Sequence, residues 1–562
     1  MSKIYTDTYH TLAFLEKNKF LFFIYKLGEK RLKRLFRVPG ENFSLWWFSL
    51  VAEKPPLKSD SYQRLISFLL SEKIGEKRTI KEKIKENPIY QFIAGLCVFF
   101  YFLLRTQYIK SHLKDFKKRK SELRDKDYFI ISYFPYINKD KAKNDLFENM
   151  YLPIFHRDLE ENYPGRYSHV LIQVDIDGHG LKDSVELAKR FTGKQSLFFL
   201  EEFFKFSNIF LFIFYYLYFS VLFMLSLFWI KRNVVYEFEG RKFNVWHIFK
   251  SDFYRSFCGT NLASSLWYIL SFKELSKHFD KHDKIISICE MQWWEKALYA
   301  FSKKKGATTI GVQHTIVPEL ILNYFNFYLE ISDGNFIEKC PLPDYLATVG
   351  KIPTDLFIKH GWPKERVFVW GAQRFESLQE LSSSVIPWKD KKNYFICAFS
   401  IDTLESEKIL SLLETAFKGN AVYKIILKSH PSLDISKLIL KRRIKLSSQI
   451  FEHSEIPLQK IIAEAKGVIV TESSSCFFAL ACGIPVIIPR FEDKIDCNPL
   501  SYLTDIPIYV YSPEDLFSVC NRIVNLTDPP VSYEKCNKFL EEYFYFPKDK
   551  GEYLEKIVKL QK

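Results

Sequence analysis

A run of 22 residues in the middle of the chain, Ile209–Ile230, contains two serines and no charged residue. It is long enough to span a bilayer as a helix, which takes about 20 residues. Strand-like segments of one kind lie on both sides of it, Asp127–Phe134 and Ser168–Asp175 before it and Ile285–Glu290 after it. A single span would place these segments on opposite sides of a membrane. We therefore predict a membrane-embedded or re-entrant insertion, with a genuine transmembrane helix at 209–230 as the alternative.

Basic residues are concentrated in the first 126 positions. This region holds 27 Lys and Arg against 13 Asp and Glu, whereas the whole chain holds 81 against 66. Its apolar segments Phe20–Tyr25 and Pro88–Leu104 are followed by basic residues, including the cluster Lys114–Lys120. Apolar helices flanked by Lys and Arg suit an anionic membrane surface, and no nucleic-acid-binding motif accompanies them. Two spans, at 88–104 and 209–230, would export that cluster against the positive-inside tendency.

The spacing of the cysteines and the chain length limit the possible compartment and the number of domains. Ten cysteines are scattered along the chain without any C-x-x-C pair. This favours reduced thiols in the cytoplasm over a disulfide framework or a cysteine-based zinc site. Lysines interrupt every early apolar run, so no signal peptide is expected. A length of 562 residues leaves room for two to four domains, each with its own core.

Short apolar runs alternate with helical segments on both sides of the polar stretch 376–392. After that stretch the strand-like runs are Tyr394–Ser400, Tyr423–Ser429, Gly467–Val470, Pro485–Pro489 and Pro507–Tyr511. Such alternation is typical of a parallel, doubly wound sheet. The fold class predicted is therefore α/β, with two Rossmann-like domains that meet at a cleft.

The predicted organisation has four parts. A basic helical, membrane-associated region covers 1–126, and a first Rossmann-like domain covers 127–375 with the apolar insertion at 196–232. A second Rossmann-like domain covers 390–530, and a carboxyl-terminal helix covers 531–562.

The segment Gly467–Arg490 predicts a strand, a hydroxyl-rich turn and a helix. Gly467–Val470 is the strand, Thr471–Ser475 is the turn, and Cys476–Cys482 is the helix, which ends at Gly483. Free backbone N–H groups and the helix dipole at such a turn attract a phosphate. An ordinary capped helix of an α/β domain is the simpler alternative.

Polar residues also follow other predicted strands. His430 follows the strand at 423–429 and Ser400 follows the strand at 394–399, while Glu290 and His314 end strands of the first half. In α/β sheets, ligands bind beyond the carboxyl ends of the strands. A buried histidine that ends a strand remains the simpler interpretation of His314 and of His430.

A short acidic motif has the residue types of a metal site. Asp175–Gly180 contains Asp-x-Asp, and carboxylate oxygens suit Mg²⁺ or Mn²⁺. The pattern is short, however, and Asp-Gly is a turn dipeptide. We therefore predict no metal site.

Several segments, taken in order along the chain, resemble a known family. They are Trp46–Ser59, Ser256–Asn261, Glu290–Leu298, Gly311–Val317 and Pro341–Gly350. Together they resemble bacterial surface carbohydrate (O-antigen) biosynthesis proteins. The carboxyl-terminal half resembles nucleotide-sugar glycosyltransferases of the GT-B architecture, and its His-Pro and serine-rich turn are similar to those of capsule enzymes of the polysialyltransferase-like and Kdo-transferase families.

This resemblance implies a metal-independent glycosyltransferase without a cofactor, at the cytoplasmic face of the bacterial inner membrane. It would transfer a sugar from a nucleotide-sugar donor, a CMP-linked donor being one candidate, to a lipid-linked surface polysaccharide or lipopolysaccharide. Its other implied partner is an anionic membrane surface, and no nucleic acid is expected. Two alternatives remain open, a CDP-polyol phosphotransferase of surface polymer synthesis and a non-catalytic member that binds glycan or acts as a scaffold.

The resemblance also implies roles for individual residues in donor binding. His430 would contact the donor phosphate, and serine hydroxyls and backbone amides would hold it at the helix start. The residues of this donor site are Ser400, His430, Thr471, Ser473, Ser474 and Ser475.

In the first half, Glu290 or Glu295 is the candidate general base that deprotonates the acceptor hydroxyl, a task that needs a carboxylate within reach. His314 and Asp333 are alternatives. Related capsule enzymes carry the base in an acidic-acidic-glycine motif, which this chain lacks at a clear position.

Overall fold

The computed structural model describes residues 3–71, 84, 86–113, 116–175, 179–192, 195–331, 335–418, 422–501, 503 and 505–560. The candidate base Asp333, the centre of the Asp-x-Asp motif at 176–178, and 114–115 of the basic cluster lie outside these residues. Within them the strands are, in chain order, β1 (Tyr128–Phe134), β2 (Tyr167–Gln173), β3 (Leu197–Phe199), β4 (Val235–Phe238), β5 (Arg241–Asn244), β6 (Lys284–Ile288), β7 (Thr308–Val312), β8 (Tyr345–Thr348), β9 (Val367–Val369), β10 (Tyr394–Ala398), β11 (Lys424–Lys428), β12 (Phe451–His453), β13 (Gly467–Val470), β14 (Val486–Pro489) and β15 (Pro507–Val510).

The first sheet has seven strands in the order β3-β2-β1-β6-β7-β8-β9. All neighbouring pairs are parallel. Every residue of β2 and β7 is buried, as expected when helices cover both faces of a parallel sheet. The predicted parallel α/β fold is confirmed in this half.

The second sheet has six strands in the order β12-β11-β10-β13-β14-β15, again parallel throughout. Strand β13 has the predicted bounds, because a short apolar run between polar segments leaves little choice of strand ends. Strands β10, β11, β14 and β15 lie within one or two residues of the prediction. The antiparallel pair β4-β5 is separate from both sheets.

Helices flank both sheets. In the first half, the α-helices of four or more residues are Lys3–Leu27, Leu50–Glu53, Ser61–Ser71, Pro88–His112, Phe116–Ser121, Lys139–Lys143, Pro153–Asn162, Leu181–Phe191, Ser207–Asn233, Trp246–Cys258, Thr260–Leu275, Trp293–Lys304, Lys351–Lys359 and Ser377–Ser383. In the second half they are Thr403–Ala416, Ile435–Arg442, Leu458–Ile461, Ser475–Ala481, Pro513–Val524, Tyr533–Tyr543 and Glu552–Val558.

Each sheet contributes to its own hydrophobic core. The first core joins the amino-terminal helices to β1, β6 and β7 and to the helix Thr260–Leu275. The second core surrounds β10, β13 and β14 and the helix Ser475–Ala481. The basic amino-terminal region is therefore packed into the first half rather than standing apart from it.

Two segments connect the halves. Near the carboxyl terminus, the amide of Tyr545 donates to Val349 and its carbonyl accepts from Ala372, which returns the chain to the first sheet. At the other end, Asp7 of the first helix accepts from Arg490 at 3.3 Å and from the hydroxyl of Tyr511 at 2.7 Å. Helices at both ends of the chain thus hold the second half against the first.

The two apolar runs form helices of 25 and 27 residues, Pro88–His112 and Ser207–Asn233. Both are long and apolar enough to cross a membrane, by length and composition alone. The segment predicted as an insertion, 196–232, begins differently in the structure, because Leu197–Phe199 forms β3 and pairs with β2. The apolar helix starts only after this edge strand and a short 3₁₀ turn, Leu200–Phe203.

Candidate active site at the carboxyl ends of the two sheets

Glu290 lies in the loop that follows β6 and precedes the helix Trp293–Lys304. Its Oε1 is 3.4 Å from Nε2 of His314, which follows β7. Its Oε2 accepts from the side-chain amide of Gln292 at 2.6 Å and from the hydroxyl of Tyr133 at 3.4 Å. The Glu290 side chain keeps 25% of its surface exposed, whereas His314 keeps 2%. Adjacent parallel strands therefore bring the two predicted residues together, and a ligand can reach only the carboxylate.

The charges around this pair determine its protonation. Burial alone would raise the pKa of Glu290, but hydrogen bonds from His314 and Gln292 and the charge of Arg374 hold it below its usual value. Burial lowers the pKa of His314, and Arg374 lowers it further. Near neutral pH the carboxyl is ionised and the imidazole is neutral. A neutral His314 that donates from Nε2 leaves Nδ1 as an acceptor. Among the residues that the structure describes, this buried atom has no hydrogen-bond partner.

Glu295, the second candidate base, has a different position. Its carboxylate is fully buried and accepts from the backbone amides of Glu290 at 2.9 Å and Met291 at 3.0 Å. It stands at the third position of its helix, where a glutamate commonly satisfies the amides that precede the helix. Burial, together with the charge of Glu290, raises its pKa to about 8. Its contacts shape the Glu290 loop, and its burial keeps it from a ligand.

A cavity of about 210 Å³ opens beside His314. This volume includes open solvent, so the enclosed space is far smaller than the pockets of about 300–1,000 Å³ that commonly hold drug-sized ligands. Residues that line it include Tyr151, Gln313, His314, Trp370, Gln373 and Arg374.

Two residues of this site were missed by the sequence analysis. The exposed guanidinium of Arg374 lies over the rings of Tyr136 and Tyr151, with its carbon 5.1 and 5.6 Å from their centroids. Tyr133, near the end of β1, accepts from the indole N–H of Trp294 at 3.0 Å. Tyr133 could have been found as the polar residue near the end of a predicted strand. Arg374 follows β9, a strand that the sequence did not identify.

In the second half, the serine-rich turn follows β13 as predicted. The Oγ atoms of Ser473 and Ser475 are 2.9 Å apart, and the amide of Ser475 donates to Ser473 at 3.3 Å. Ser473, Ser474 and Ser475 are half-buried, whereas Thr471 is buried. The helix covers Ser475–Ala481, one residue earlier at each end than predicted.

His430 lies at the end of β11. Its Nδ1 accepts from the amide of Ser432 at 3.1 Å, within its own turn. Strand β10 stands between β11 and β13, so two interstrand spacings, together about 10 Å, separate His430 from the serine turn. A ligand that touches both must span this distance.

A charged cluster occupies the space between these strand ends. Nζ of Lys494 is 2.6 Å from Asp402, 3.4 Å from Glu405 and 3.6 Å from Glu472. The hydroxyl of Ser400 donates to Glu405, so Ser400 is part of this cluster. Sequence analysis missed Lys494 and Glu472, although Glu472 stands inside the turn that it identified.

The three carboxylates outnumber the one ammonium group of this cluster. Burial, then the nearby charge of Glu405, raises the pKa of Glu472 to about 8. The carboxylates raise the pKa of Lys494 against the opposing effect of burial. At neutral pH the cluster therefore holds a protonated carboxyl next to a permanent cation.

The loop that carries Lys494 is held by the first helix of the chain. Arg490 is 3.2 Å from Asp496 of the same loop and 3.3 Å from Asp7. The amide of Asp496 donates to Nδ1 of His10 at 3.4 Å. Residues almost 490 positions apart thus position the second site.

In the part of the chain that the structure describes, no group of three or more His, Cys, Asp or Glu has an arrangement that could hold a metal ion. Asp175, the first residue of the Asp-x-Asp motif, accepts from the side-chain amide of Gln173 at 3.1 Å.

No family model matches this chain, and no curated protein matches it.

Three solved structures that are similar to this chain are those of HepE, WaaB and MnaA. Anabaena HepE in complex with UDP and glucose has a TM-score of 0.37 and 11% identity, covering 76% of this chain and 98% of its own. The lipopolysaccharide outer core galactosyltransferase WaaB has a TM-score of 0.36 and 10% identity, covering 77% and 98%. Staphylococcus aureus MnaA with UDP has a TM-score of 0.38 and 11% identity, covering 77% and 95%. Similarity this distant does not assign a function to this chain.

Proposed function

We propose that this chain is a glycosyltransferase with two facing Rossmann-like domains, which transfers a sugar from a nucleotide-sugar donor to a lipid-linked surface glycan. The observation that carries the proposal is Glu290, an ionised and accessible carboxylate at the carboxyl end of a parallel sheet. Glu290 lies near a cavity that is lined by His314 and by Arg374, an exposed residue. Polar residues also follow the strands of the second sheet. Ligands of open α/β sheets bind at such strand ends.

In this proposal Glu290 is the general base. It accepts the proton of the acceptor hydroxyl as that oxygen attacks the anomeric carbon of the donor sugar, and the bond from that carbon to the donor phosphate breaks. His314 donates to Oε1 at 3.4 Å and positions the carboxylate. A carboxylate with a lowered pKa stays ionised at neutral pH and is ready to accept a proton. Glu295 positions the loop and is not the base.

The leaving phosphate is assigned to the second half. The hydroxyls and amides of Ser473, Ser474 and Ser475 would bind its oxygens, with His430 at the opposite edge and Thr471 beneath the turn. Lys494 contributes less than a free lysine would, because its charge is balanced by the carboxylates around it. No step of this proposal uses a metal ion or a cofactor.

Location at the cytoplasmic face of the bacterial inner membrane belongs to the same proposal. All ten cysteines are free thiols, and nine of them are buried. Free thiols are usual in a reducing compartment.

Calorimetry with a panel of nucleotides tests the donor site. The protein is titrated with CMP, CDP, UDP and GDP, and we expect one of them to bind below millimolar concentration. The variant His430→Ala should retain its melting temperature, bind that nucleotide more weakly and lose transfer. Absence of nucleotide binding at millimolar concentration would instead favour a glycan-binding or scaffold protein.

The mass of the product tests the reaction. Transfer of a glycosyl unit adds the mass of one anhydro-sugar to the acceptor. A phosphopolyol added from a CDP-linked donor would contradict glycosyl transfer and identify a polyol phosphotransferase.

A further inference from the structure

The two apolar helices, Pro88–His112 and Ser207–Asn233, lie side by side in opposite directions. The rings of Phe99 and Phe212 stack with centroids 3.6 Å apart. The hydroxyl of Tyr216 donates to the carbonyl of Phe92 at 2.8 Å. Gly95 permits this approach, because a Cβ there would lie 2.1 Å from that hydroxyl. The two helices therefore form one paired surface.

One face of this pair is packed against the folded body along its whole length. Phe102 stacks on Trp267 with centroids 4.7 Å apart, and Phe223 stacks on Phe257 at 5.7 Å. In the helix Ser207–Asn233, buried residues occur from Asn208 in the first turn to Ile230 in the last. In no orientation can lipid surround either helix.

The opposite face is apolar and bare. Six of its large side chains keep between 60% and 79% of their surface exposed. They are Ile89, Phe100, Leu104, Phe210, Leu225 and Phe228. Monomeric soluble proteins seldom expose a continuous apolar surface across two long helices. We therefore expect this face to bind an apolar partner.

Basic residues stand at both ends of the pair. At one end the ammonium group of Lys110 donates to the carbonyl of Phe204, and Lys118 and the exposed Lys205 are nearby in the chain. At the other end Lys231 and Arg232 close the second helix. Basic residues near an anionic lipid surface are attracted to it.

We propose that this face is a monotopic membrane-binding surface, on which both helices lie in the plane of one leaflet that contains anionic lipid. In this orientation the basic residues at both ends meet the same layer of headgroups. A spanning orientation would carry one basic end through the membrane and would submerge the helices Trp246–Cys258 and Thr260–Leu275 with their polar surroundings. The charge at both ends selects an anionic bilayer over a second copy of this chain as the occupant.

The packed face of the same helix pair is connected to the loop of Glu290. Phe102 of the apolar pair contacts Tyr268 with ring centroids 6.1 Å apart, and Tyr268 contacts Trp293 at 4.7 Å. Trp293 is three residues from Glu290. If the proposed function holds, on which this step rests, binding of the helix pair to a leaflet brings the membrane that carries the acceptor to the half of the chain that holds Glu290.

Flotation with vesicles tests the surface. The full chain is mixed with vesicles of phosphatidylcholine alone or with 30% phosphatidylglycerol, and we expect it to float with the anionic ones. The double variant Leu225→Ser, Phe228→Ser should lower the partition coefficient at least about tenfold, because two large apolar side chains no longer enter the leaflet. The matched control Val422→Ser, Leu440→Ser alters two side chains of the second half that are at least as exposed, and it should float like the wild type. Equal flotation of both double variants would overturn the proposal.

Depth measurements test the orientation. After Cys97, the one exposed cysteine, is replaced by serine, single cysteines at Phe210 and Leu225 carry a fluorophore, and nitroxide lipids quench it. These positions are separated by about 22 Å along the helix at 1.5 Å per residue. Equal depths are expected for helices in the plane, and depths that differ by most of that length would show a span and overturn the proposal.

Light scattering separates a membrane from a second copy. A dimer that forms without lipid and is broken by Leu225→Ser, Phe228→Ser, together with no flotation, would contradict the proposal. None of these measurements needs a donor or an acceptor, so failure of the proposed enzymatic function leaves their outcome unaffected.

Discussion

The strands of the two sheets end at two sites that differ in the protonation of their carboxyl groups. In the first, Glu290 stands with a neutral His314 and an exposed Arg374, and its pKa is held low. In the second, three carboxylates surround Lys494, and the pKa of Glu472 is raised to about 8. Both sites occupy the same place relative to a parallel sheet, so the difference comes from the loops and not from the fold.

This difference matches two tasks of a transferase. A carboxylate kept ionised can accept a proton, which the acceptor step needs. A carboxyl kept protonated removes a negative charge, which lowers the repulsion that an incoming donor phosphate would meet. The comparison therefore supports the proposal, in which the base belongs to the first site and the donor phosphate to the second.

The largest effect is expected from Glu290→Gln. An amide cannot accept the proton, so kcat should fall by about 10²–10⁴-fold, the usual contribution of a general base. Donor binding at the other site should be unchanged in calorimetry. The control Glu365→Gln alters an exposed glutamate of the same half and should keep full activity. Full activity of Glu290→Gln would show that Glu290 is not the general base.

The next effect concerns the stability of the second site. Lys494→Met leaves three carboxyls without their cation, and removal of one partner of a buried ion pair costs about 3–5 kcal/mol of unfolding free energy. Urea denaturation measures this loss. In the control Lys424→Met, the pair with Glu452 is exposed and should cost at most about 1 kcal/mol. Addition of Asp402→Asn to Lys494→Met should recover part of the loss, because Asp402 has a lowered pKa and is the ionised carboxylate nearest to Lys494. An additive result would show that the two groups do not interact.

A smaller effect is expected from Glu295→Ala. This variant leaves the part-buried amide of Glu290 and the buried amide of Met291 without an acceptor, and the one buried donor costs about 1–3 kcal/mol. The melting temperature should fall, and kcat should fall less than in Glu290→Gln. If kcat instead fell further than in that variant, Glu295 would replace Glu290 as the base.

The smallest effect concerns the free energy of unfolding, to which Glu472 and Glu290 should contribute with opposite dependences on pH. The raised pKa of Glu472 gives a contribution that is fully present below its unfolded pKa of 4.5 and is lost as pH rises through about 8. The lowered pKa of Glu290 gives a contribution that is present above 4.5 and is lost as pH falls through its folded value. Urea denaturation from about pH 2 to about pH 9 covers both windows, and it should show the first dependence disappear in Glu472→Gln and the second in Glu290→Gln. Loss of both dependences in a single variant would show that the sites are coupled.

Strands were the most predictable part of this chain. The bounds of β13 follow from its apolar run, and Glu290, His314 and His430 were found because each follows a strand-like run. Strand β3 was missed because its three residues adjoin the apolar helix and share its composition. The end of a strand can be read from the sequence only when a polar segment follows the apolar residues of the strand.

The partners of the site residues were less predictable. Arg374 and Lys494 lie in loops whose composition resembles that of many surface loops. Their importance depends on which loops meet at a sheet edge, and that depends on strand order. Likewise, separation of Glu290 from Glu295 into an accessible and a capping carboxylate depends on the path of one loop.

The sequence by itself determined that this chain builds parallel α/β sheets, where their polar strand ends fall, and that two long apolar segments lie among them. These properties follow from local periodicity and composition, which neighbouring residues share along the chain. Only the tertiary structure decided that both apolar helices bury one face against the body, that His314 meets Glu290, and that Lys494 sits among three carboxylates. Burial and the distance between charges arise from residues far apart in sequence, and they determine both the pKa values and the exposed surface.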